Sequence, residues 1–340
     1  MKKISVLLIA FLIVAWVGSS NLEAKSKQPG WLTNPENKFP SAYYLTAIGE
    51  GDSRTQAENM AAANISRIFE SKVMASESIQ QRYEEMISSK GANSSESTEI
   101  IKDVNISSEQ TLMNLKFADS YTDEVGRVFA LAYIDRMKTG SIYENRINEI
   151  ATQIVDFIKQ GDSSKNYIIS YAYFNAAKLF DEQIKIMMAQ LDIISATSKD
   201  MIELGYDSNE LTKKLRDAAQ EVTFSVDIKN DEEDKMKIVL EEMFTAMGFK
   251  LSENSMLKLV GSAEFAETDL RREDYIFVRY DLKLKVIDDR GDVVAVLSQK
   301  GREGHASFTE AKARCIRKLE SEIDKKLKRK IIKYFDDIVK

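Results

Sequence analysis

Few side chains of this sequence could form a nucleophilic or metal-binding centre. Cys315 and His305 are the only cysteine and the only histidine among 340 residues. A cysteine nucleophile needs a base beside it, but the capping pattern at Ser307 places Cys315 two helical turns, on the order of 12 Å of rise, beyond the loop that holds His305. The sequence therefore predicts a packed cysteine and a loop histidine, and a single histidine disfavours a catalytic zinc site.

Three other motifs fit structural roles better than chemical ones. Gly49 and Gly51 before a helix could present backbone amides to a phosphate, but their acidic neighbours would repel an anion. Residues 231–234 are acidic yet lack the alternating oxygen ligands of a calcium loop, and residues 290–292 (RGD) suit a hairpin turn. The sequence therefore predicts no catalytic residue, no metal ligand and no cofactor. With 54 acidic residues, a carboxylate pair for hydrolysis stays open as an alternative.

The most informative charge feature is a basic segment near the C-terminus. Residues 312–333 hold ten lysines and arginines against Glu320, Glu322 and Asp324, a local charge of +7 in a chain of net charge −6. The segment predicts an electrostatic docking face for an anionic surface, an acidic partner or the acidic part of its own chain. The alternative is a solvated face whose cations suit the helix C-terminus. The predicted docking face consists of Lys312, Arg314, Arg317, Lys318, Lys325, Lys326, Lys328, Arg329, Lys330 and Lys333.

The N-terminus has the order of a secretory signal peptide. Lys2 and Lys3 precede an apolar run over residues 4–17, and small residues follow before Ala24. We expect cleavage after Ala24 and a mature protein that is soluble in a bacterial periplasm. The apolar run is shorter than the roughly 20 residues that span a bilayer as a helix, so a retained inner-membrane anchor is the alternative.

The spacing of apolar residues predicts an α+β fold, with two small sheet-and-helix domains separated by a helical hairpin region. The first domain begins with a strand at residues 42–48, a turn at 49–52 and a helix capped by Ser53, and residues 88–97 form a polar loop. The predicted division is a signal peptide at 1–24, an α+β domain at 29–140, a helical region at 141–222 and a C-terminal α+β domain at 223–340.

Periodicity also indicates which faces are buried. The first helix is expected to bury a face that includes Met60 and Ile68. Alternation over residues 279–286 predicts a strand with one face in solvent, and a hairpin turn returns the chain through residues 293–297. The last helix, capped by Ser307, is expected to bury one stripe made of Ile316, Leu319, Ile323, Leu327, Ile331, Tyr334 and Ile338.

Residues 29–136 resemble the LPP-twenty lipoprotein family of bacterial envelope proteins. The resemblance rests on Pro29-Gly30-Trp31, residues 43–51 (YYLTAIGEG), the alanine-rich segment 57–73 and residues 128–134 (VFALAYI), in that order. It implies an envelope location, distant similarity to flagellar assembly proteins of the T type, and no catalytic residues. The sequence departs from the lipoprotein pattern because no cysteine follows the apolar run, so we expect no lipid anchor.

These observations favour a non-catalytic periplasmic protein with a structural or interaction role in the bacterial cell envelope. Envelope or flagellar-apparatus assembly is the role that the resemblance implies, and envelope or motility-apparatus proteins are the expected partners. The acidic net charge disfavours nucleic acid as a partner, and no membrane span is expected after signal cleavage. The alternative from a different functional class is a periplasmic hydrolase that uses carboxylates.

Overall fold

A computed structural model of the protein describes residues 28–73, 113–272 and 275–339. The predicted signal peptide at 1–24 and the predicted polar loop at 88–97 lie outside these residues. The described residues form two sheets and several helices. The predicted α+β class is therefore confirmed.

The first sheet has three antiparallel strands in the order β1-β3-β2. These are β1 (Tyr44–Gly51), β2 (Lys116–Thr122) and β3 (Val128–Asp135). Successive residues of β3 point to opposite faces of the sheet. Leu131 packs with Trp31 of the short helix α1 (Gly30–Thr33), whereas Ala132 belongs to the main core beneath α2 (Arg54–Val73).

Strand β1 ends later than predicted. The sequence predicted a strand at residues 42–48 and a turn at 49–52. β1 pairs with β3 all the way from Tyr44 to Gly51. A Cβ atom at Gly49 would overlap the backbone nitrogen of Ala61 and the carbonyl oxygen of Ala57 on α2. Gly49 therefore lies within the strand, because the helix packs directly on its backbone and leaves no room for a side chain.

Helix α2 begins at the predicted cap, where the Gln56 N–H donates to Ser53 Oγ at 3.3 Å. Its buried face is narrower than predicted, since Met60 and Ile68 are 43% and 38% exposed. The side chains that α2 buries are Ala57, Ala61, Ile65 and Phe69. Two alanines on this face allow the close approach to β1.

The helical region contains the predicted hairpin and further helices. Helix α3 (Arg136–Ser163) and helix α4 (Tyr167–Ile194) form the hairpin, and α5 (Ala196–Asp200) and α6 (Ser208–Glu221) follow. Because α3 already begins at Arg136, the predicted domain boundary at residue 140 falls inside a helix.

The second sheet has five strands in the order β5-β4-β6-β7-β8. Strand β4 runs parallel to its neighbours β5 and β6, helix α7 (Lys235–Ala246) follows β4, and β6, β7 and β8 are antiparallel. The strands are β4 (Thr223–Lys229), β5 (Lys250–Leu251), β6 (Leu257–Arg272), β7 (Tyr275–Asp288) and β8 (Val293–His305). Strand β8 is therefore an edge of this sheet.

Strand β8 is longer than the second hairpin strand predicted at residues 293–297. It continues through two glycines, which pair with aromatic residues of β7: Gly301 with Tyr280, and Gly304 with Phe277. A Cβ atom at Gly304 would lie 2.6 Å from the Phe277 ring. The glycines accommodate neighbouring rings and do not end the strand.

The last helix has three consecutive parts: α8 (Phe308–Glu322), a π-helical stretch (Ile323–Leu327) and α9 (Lys328–Ile338). The predicted stripe is confirmed for Leu319, Ile323, Leu327 and Ile331, whereas Ile316, Tyr334 and Ile338 are only half-buried. The buried residues recur every fourth position, at Ala311, Cys315, Leu319, Ile323, Leu327, Ile331, Phe335 and Val339.

An aromatic triangle joins the helical hairpin to the C-terminal part of the chain. The ring centroid of Tyr171 on α4 lies 4.8 Å from that of Phe335 on α9 and 5.0 Å from that of Phe249. Buried residues of α2, of the hairpin and of the second sheet form one continuous hydrophobic cluster. The helical region is therefore packed against its neighbours in the described part of the chain.

Replacing the last helix's cap, Ser307→Ala, is expected to lower the free energy of unfolding by about 1 kcal/mol. Ser307 Oγ accepts the Glu310 N–H at 3.3 Å, and alanine leaves that donor without this partner. Urea denaturation measures the change. The matched control is Ser321→Ala within α8, where alanine favours the helix; equal losses in both variants would contradict the capping role.

Candidate functional site

The ten cations of the predicted docking face lie on the solvent-facing side of the last helix. The buried stripe that repeats every fourth residue points to the core, and the cations occupy positions between its members. Most of the cations are exposed, and Lys312 and Lys328 are intermediate. The helix brings them onto one element, as predicted, but their local partners differ.

Half of these cations are paired with carboxylates. The pairs are Lys312–Glu232, Arg317–Glu310, Lys326–Glu322, Lys328–Asp324 and Lys333–Asp337, with N–O distances between 2.5 and 4.0 Å. Ion pairs at the surface contribute little to stability, because water and salt screen their charges. They also reduce the field that the basic segment presents to a partner.

Lys312 is the most enclosed of the paired cations. Its side chain is 14% exposed, and its Nζ lies 2.5 Å from Glu232 and 5.5 Å from the Phe265 ring centroid. The hydrogen bond and charge of Lys312 lower the pKa of the Glu232 carboxyl. Lys312 therefore connects α8 to neighbouring elements and is less suited to an external ligand.

Three of the ten cations line a groove between β8 and α9. The groove has a volume of about 550 Å³, and its residues are Val293, Val294, Ala295, Val296, Arg329, Lys330, Lys333, Tyr334 and Asp337. Val293 and Val296 are each about half exposed, at 51% and 48%. The groove thus combines exposed apolar side chains with a rim on which cations outnumber acids by three to one.

The β7–β8 turn fixes one end of this groove. Asp288 is buried, accepts hydrogen bonds from the Arg290 and Asp292 N–H groups, and forms an ion pair with the Arg290 guanidinium at 2.9 Å. The Tyr334 hydroxyl of α9 donates to Asp288 at 3.3 Å. Burial and the Asp288 charge raise the pKa of Tyr334 to about 12. The RGD sequence at 290–292 thus forms the predicted turn.

A buried ionic cluster on α4 was not found in the sequence analysis. Asp181, 1% exposed, lies 2.8 Å from Lys178 Nζ and 3.0 Å from Lys185 Nζ. It also accepts hydrogen bonds from the hydroxyls of Tyr206 at 3.0 Å and Ser208 at 2.7 Å. The cluster could have been predicted from the sequence, because these charges are spaced at i, i+3 and i, i+4 within an otherwise apolar helix.

The titration behaviour of this cluster follows from its contacts. Burial alone would raise the pKa of Asp181, but hydrogen bonds from Lys178, Ser208 and Lys185 outweigh it and lower the pKa. Burial and the adjacent Asp181 charge raise the pKa of Tyr206. The carboxylate stays ionised and holds the loop before α6 against α4, which is a structural role.

Of the remaining candidates for chemistry, the Cys315 thiol donates its hydrogen bond to a backbone oxygen and not to His305. Cys315 is buried and its Sγ lies 3.4 Å from the Val278 carbonyl oxygen, and burial raises the pKa of the thiol. His305 ends β8. In residues 28–73, 113–272 and 275–339, no group of three or more His, Cys, Asp or Glu side chains could hold a metal ion. Within the same ranges, every helix is too short or too polar to cross a membrane.

The comparisons with known proteins give one family match and several similar solved structures. Residues 29–135 match the LPP20 lipoprotein family, so the predicted resemblance is confirmed over about a third of the chain. No curated protein matches. Among solved structures, the secreted protein HP1454 from Helicobacter pylori matches with 12% identity and a TM-score of 0.40, covering 76% of this chain and 87% of that one. A minor lipoprotein from Acinetobacter baumannii matches with 14% identity and a TM-score of 0.27, covering 32% and 92%.

Proposed function

We propose that this chain is an exported, non-catalytic interaction protein of the bacterial cell envelope. The observation that carries the proposal is the match of residues 29–135 to the LPP20 lipoproteins, together with the signal-peptide pattern before them. Envelope or flagellar-apparatus assembly is the specific role that we propose, with proteins of those structures as partners.

The arrangement of the described residues supports binding over catalysis. A carboxylate-dependent hydrolase needs two acids facing a cleft. The most buried acidic pair on α4, Asp181 and Glu182, is instead bonded to Lys178 and Lys185 at 2.8–3.1 Å. The open basic groove beside β8, by contrast, offers apolar and charged groups to a partner.

Export is tested by determining the N-terminus of the chain in fractionated cells by mass spectrometry. We expect a mature N-terminus at Lys25 in the periplasmic fraction. An intact N-terminus in the membrane fraction would support the retained anchor instead. A chain that begins at Met1 and stays in the cytoplasm would overturn the proposal.

The assembly role needs a separate experiment. Affinity capture after cross-linking in intact cells should recover envelope or motility-apparatus components. The matched control is the same capture with the export signal at residues 1–24 deleted, which keeps the chain away from those components. Equal recovery from both strains, or recovery of neither class of component, would contradict the assembly role.

A further inference from the structure

We propose that the groove between β8 and α9 binds an extended, acidic peptide segment of a partner protein, which adds to the second sheet as a sixth strand along β8. The proposal rests on the proposed function, because it names the kind of partner that an interaction protein would bind. Three features of the groove support it: an open strand edge, an exposed apolar strip and a basic rim.

Among residues 28–73, 113–272 and 275–339, no further strand pairs with β8, so its outer edge is open beside the groove. The Val296 carbonyl oxygen accepts a hydrogen bond at 2.8 Å from Lys330 Nζ, which lies on α9 and not on β7. In an antiparallel ladder a residue directs its N–H and its C=O to the same side, so Val296 turns both groups away from β7. An added strand could pair with them once Lys330 moves aside.

The side chains around this edge suit an alternating peptide. In a strand, successive side chains point to opposite faces. Ala295 and Leu297 are buried on the helix side, whereas Val296 is exposed on the other side. One set of peptide side chains would therefore extend the apolar surface of Val296, and the other set would face the cations of α9.

The charge of the rim selects an acidic occupant. Arg329, Lys330 and Lys333 line the groove against one acid, Asp337, which lies 4.0 Å from Lys333. A second copy paired through the same edge would bring two such rims together, and like charges disfavour that contact. A peptide with glutamates on one face would instead place them next to the three cations, and β-strand addition is an established mode of peptide recognition.

Binding is tested by fluorescence anisotropy with the purified full chain and a labelled peptide of four Val-Glu repeats with blocked ends. We expect saturable binding with a dissociation constant in the range of about 1–100 μM, and none to a peptide of four Val-Lys repeats. The double variant R329E/K333E should weaken binding at least about tenfold, about 1.4 kcal/mol. The matched control K318E/K325E changes the charge equally on cations outside the groove, and should leave binding within about threefold.

Backbone pairing is tested by Val296→Pro, which removes one outward N–H while proline is tolerated on an edge strand. We expect at least about a tenfold loss of binding, whereas Val296→Ala keeps the N–H and most of the affinity. On the unaltered chain, the Val-Glu peptide should slow hydrogen exchange of β8 amides, which tests the pairing even if the proline variant is unstable.

Several results would overturn the proposal. The first is that the Val-Glu peptide does not bind at about 1 mM, on the order of a very weak affinity. The second is that the two charge-reversal variants weaken binding equally. The third is that the peptide does not slow hydrogen exchange of the β8 amides. Self-association that Val296→Pro abolishes would assign the edge to a second copy. None of these results depends on export, so failure here leaves the proposed function standing, and cytoplasmic retention would leave peptide binding measurable.

Discussion

Gly49→Ala is expected to destabilise the protein by about 3 kcal/mol or more, at the upper end of the cost of overpacking. The new methyl group would overlap backbone atoms of Ala57 and Ala61, and it would lie 2.7 Å from the Met60 carbonyl carbon. Backbone atoms of a helix cannot rotate aside as a side chain can. Helix α2 would have to move off β1 and open the core beneath it.

The measurement is urea denaturation followed by circular dichroism, with the slope checked for two-state behaviour. Gly30→Ala is the matched control, since a Cβ atom there meets nothing within 4 Å. We expect that control to change the free energy of unfolding by less than about 0.5 kcal/mol. Similar stability of the two variants would refute the close packing of α2 on β1.

Asp181→Asn should also be strongly destabilising, by about 3 kcal/mol. Removing one charge of a buried ion pair is strongly destabilising, and without the Asp181 charge the two lysines Lys178 and Lys185 keep only Glu182 as a carboxylate partner. The exposed pair of Asp162 and Lys214, at 2.6 Å, supplies the control: Asp162→Asn should cost less than about 1 kcal/mol.

The stability difference between the Asp181→Asn variant and the unaltered protein is expected to depend on pH. The folded-state pKa of Asp181 is lowered, so its ionisation stabilises the fold above the unfolded-state pKa of about 3.9. That contribution is lost as the pH falls through the folded-state value. Thermal unfolding across the acid range should show the two proteins converging as the pH falls. A difference that stays constant to low pH would show that the carboxylate charge is not what stabilises the cluster.

Sequence periodicity predicts the elements of this chain better than it predicts their ends. The capped helices after Ser53 and Ser307 and the exposed-buried alternation of β7 follow from local rules. The strand ends at Gly51 and His305 do not, because a glycine that makes room for a helix or a ring has the same local pattern as one that makes a turn. Whether it turns is decided by residues distant in sequence.

The candidate site, too, is predicted from the sequence only where it depends on neighbouring residues. The ten cations can be read from the sequence. Five of them have carboxylate partners, which reduce the net positive charge of the predicted docking face. That Arg329, Lys330 and Lys333 form a groove depends on β8 being the edge strand. The strand order of the sheet, including the parallel pairing of β4 and β6, sets that edge, and no short-range pattern encodes it.

The π-helical stretch Ile323–Leu327 sets the angular phase of everything that follows it. Each residue of an α-helix advances the side-chain direction by about 100°, and a π-helical turn contains one residue more than an α-helical turn. If the same residues formed a regular α-helix with none removed, α9 would be rotated by about a quarter turn about the helix axis. Phe335 would leave the aromatic triangle, and Arg329 and Lys333 would leave the groove, although every one of those residues would still be present.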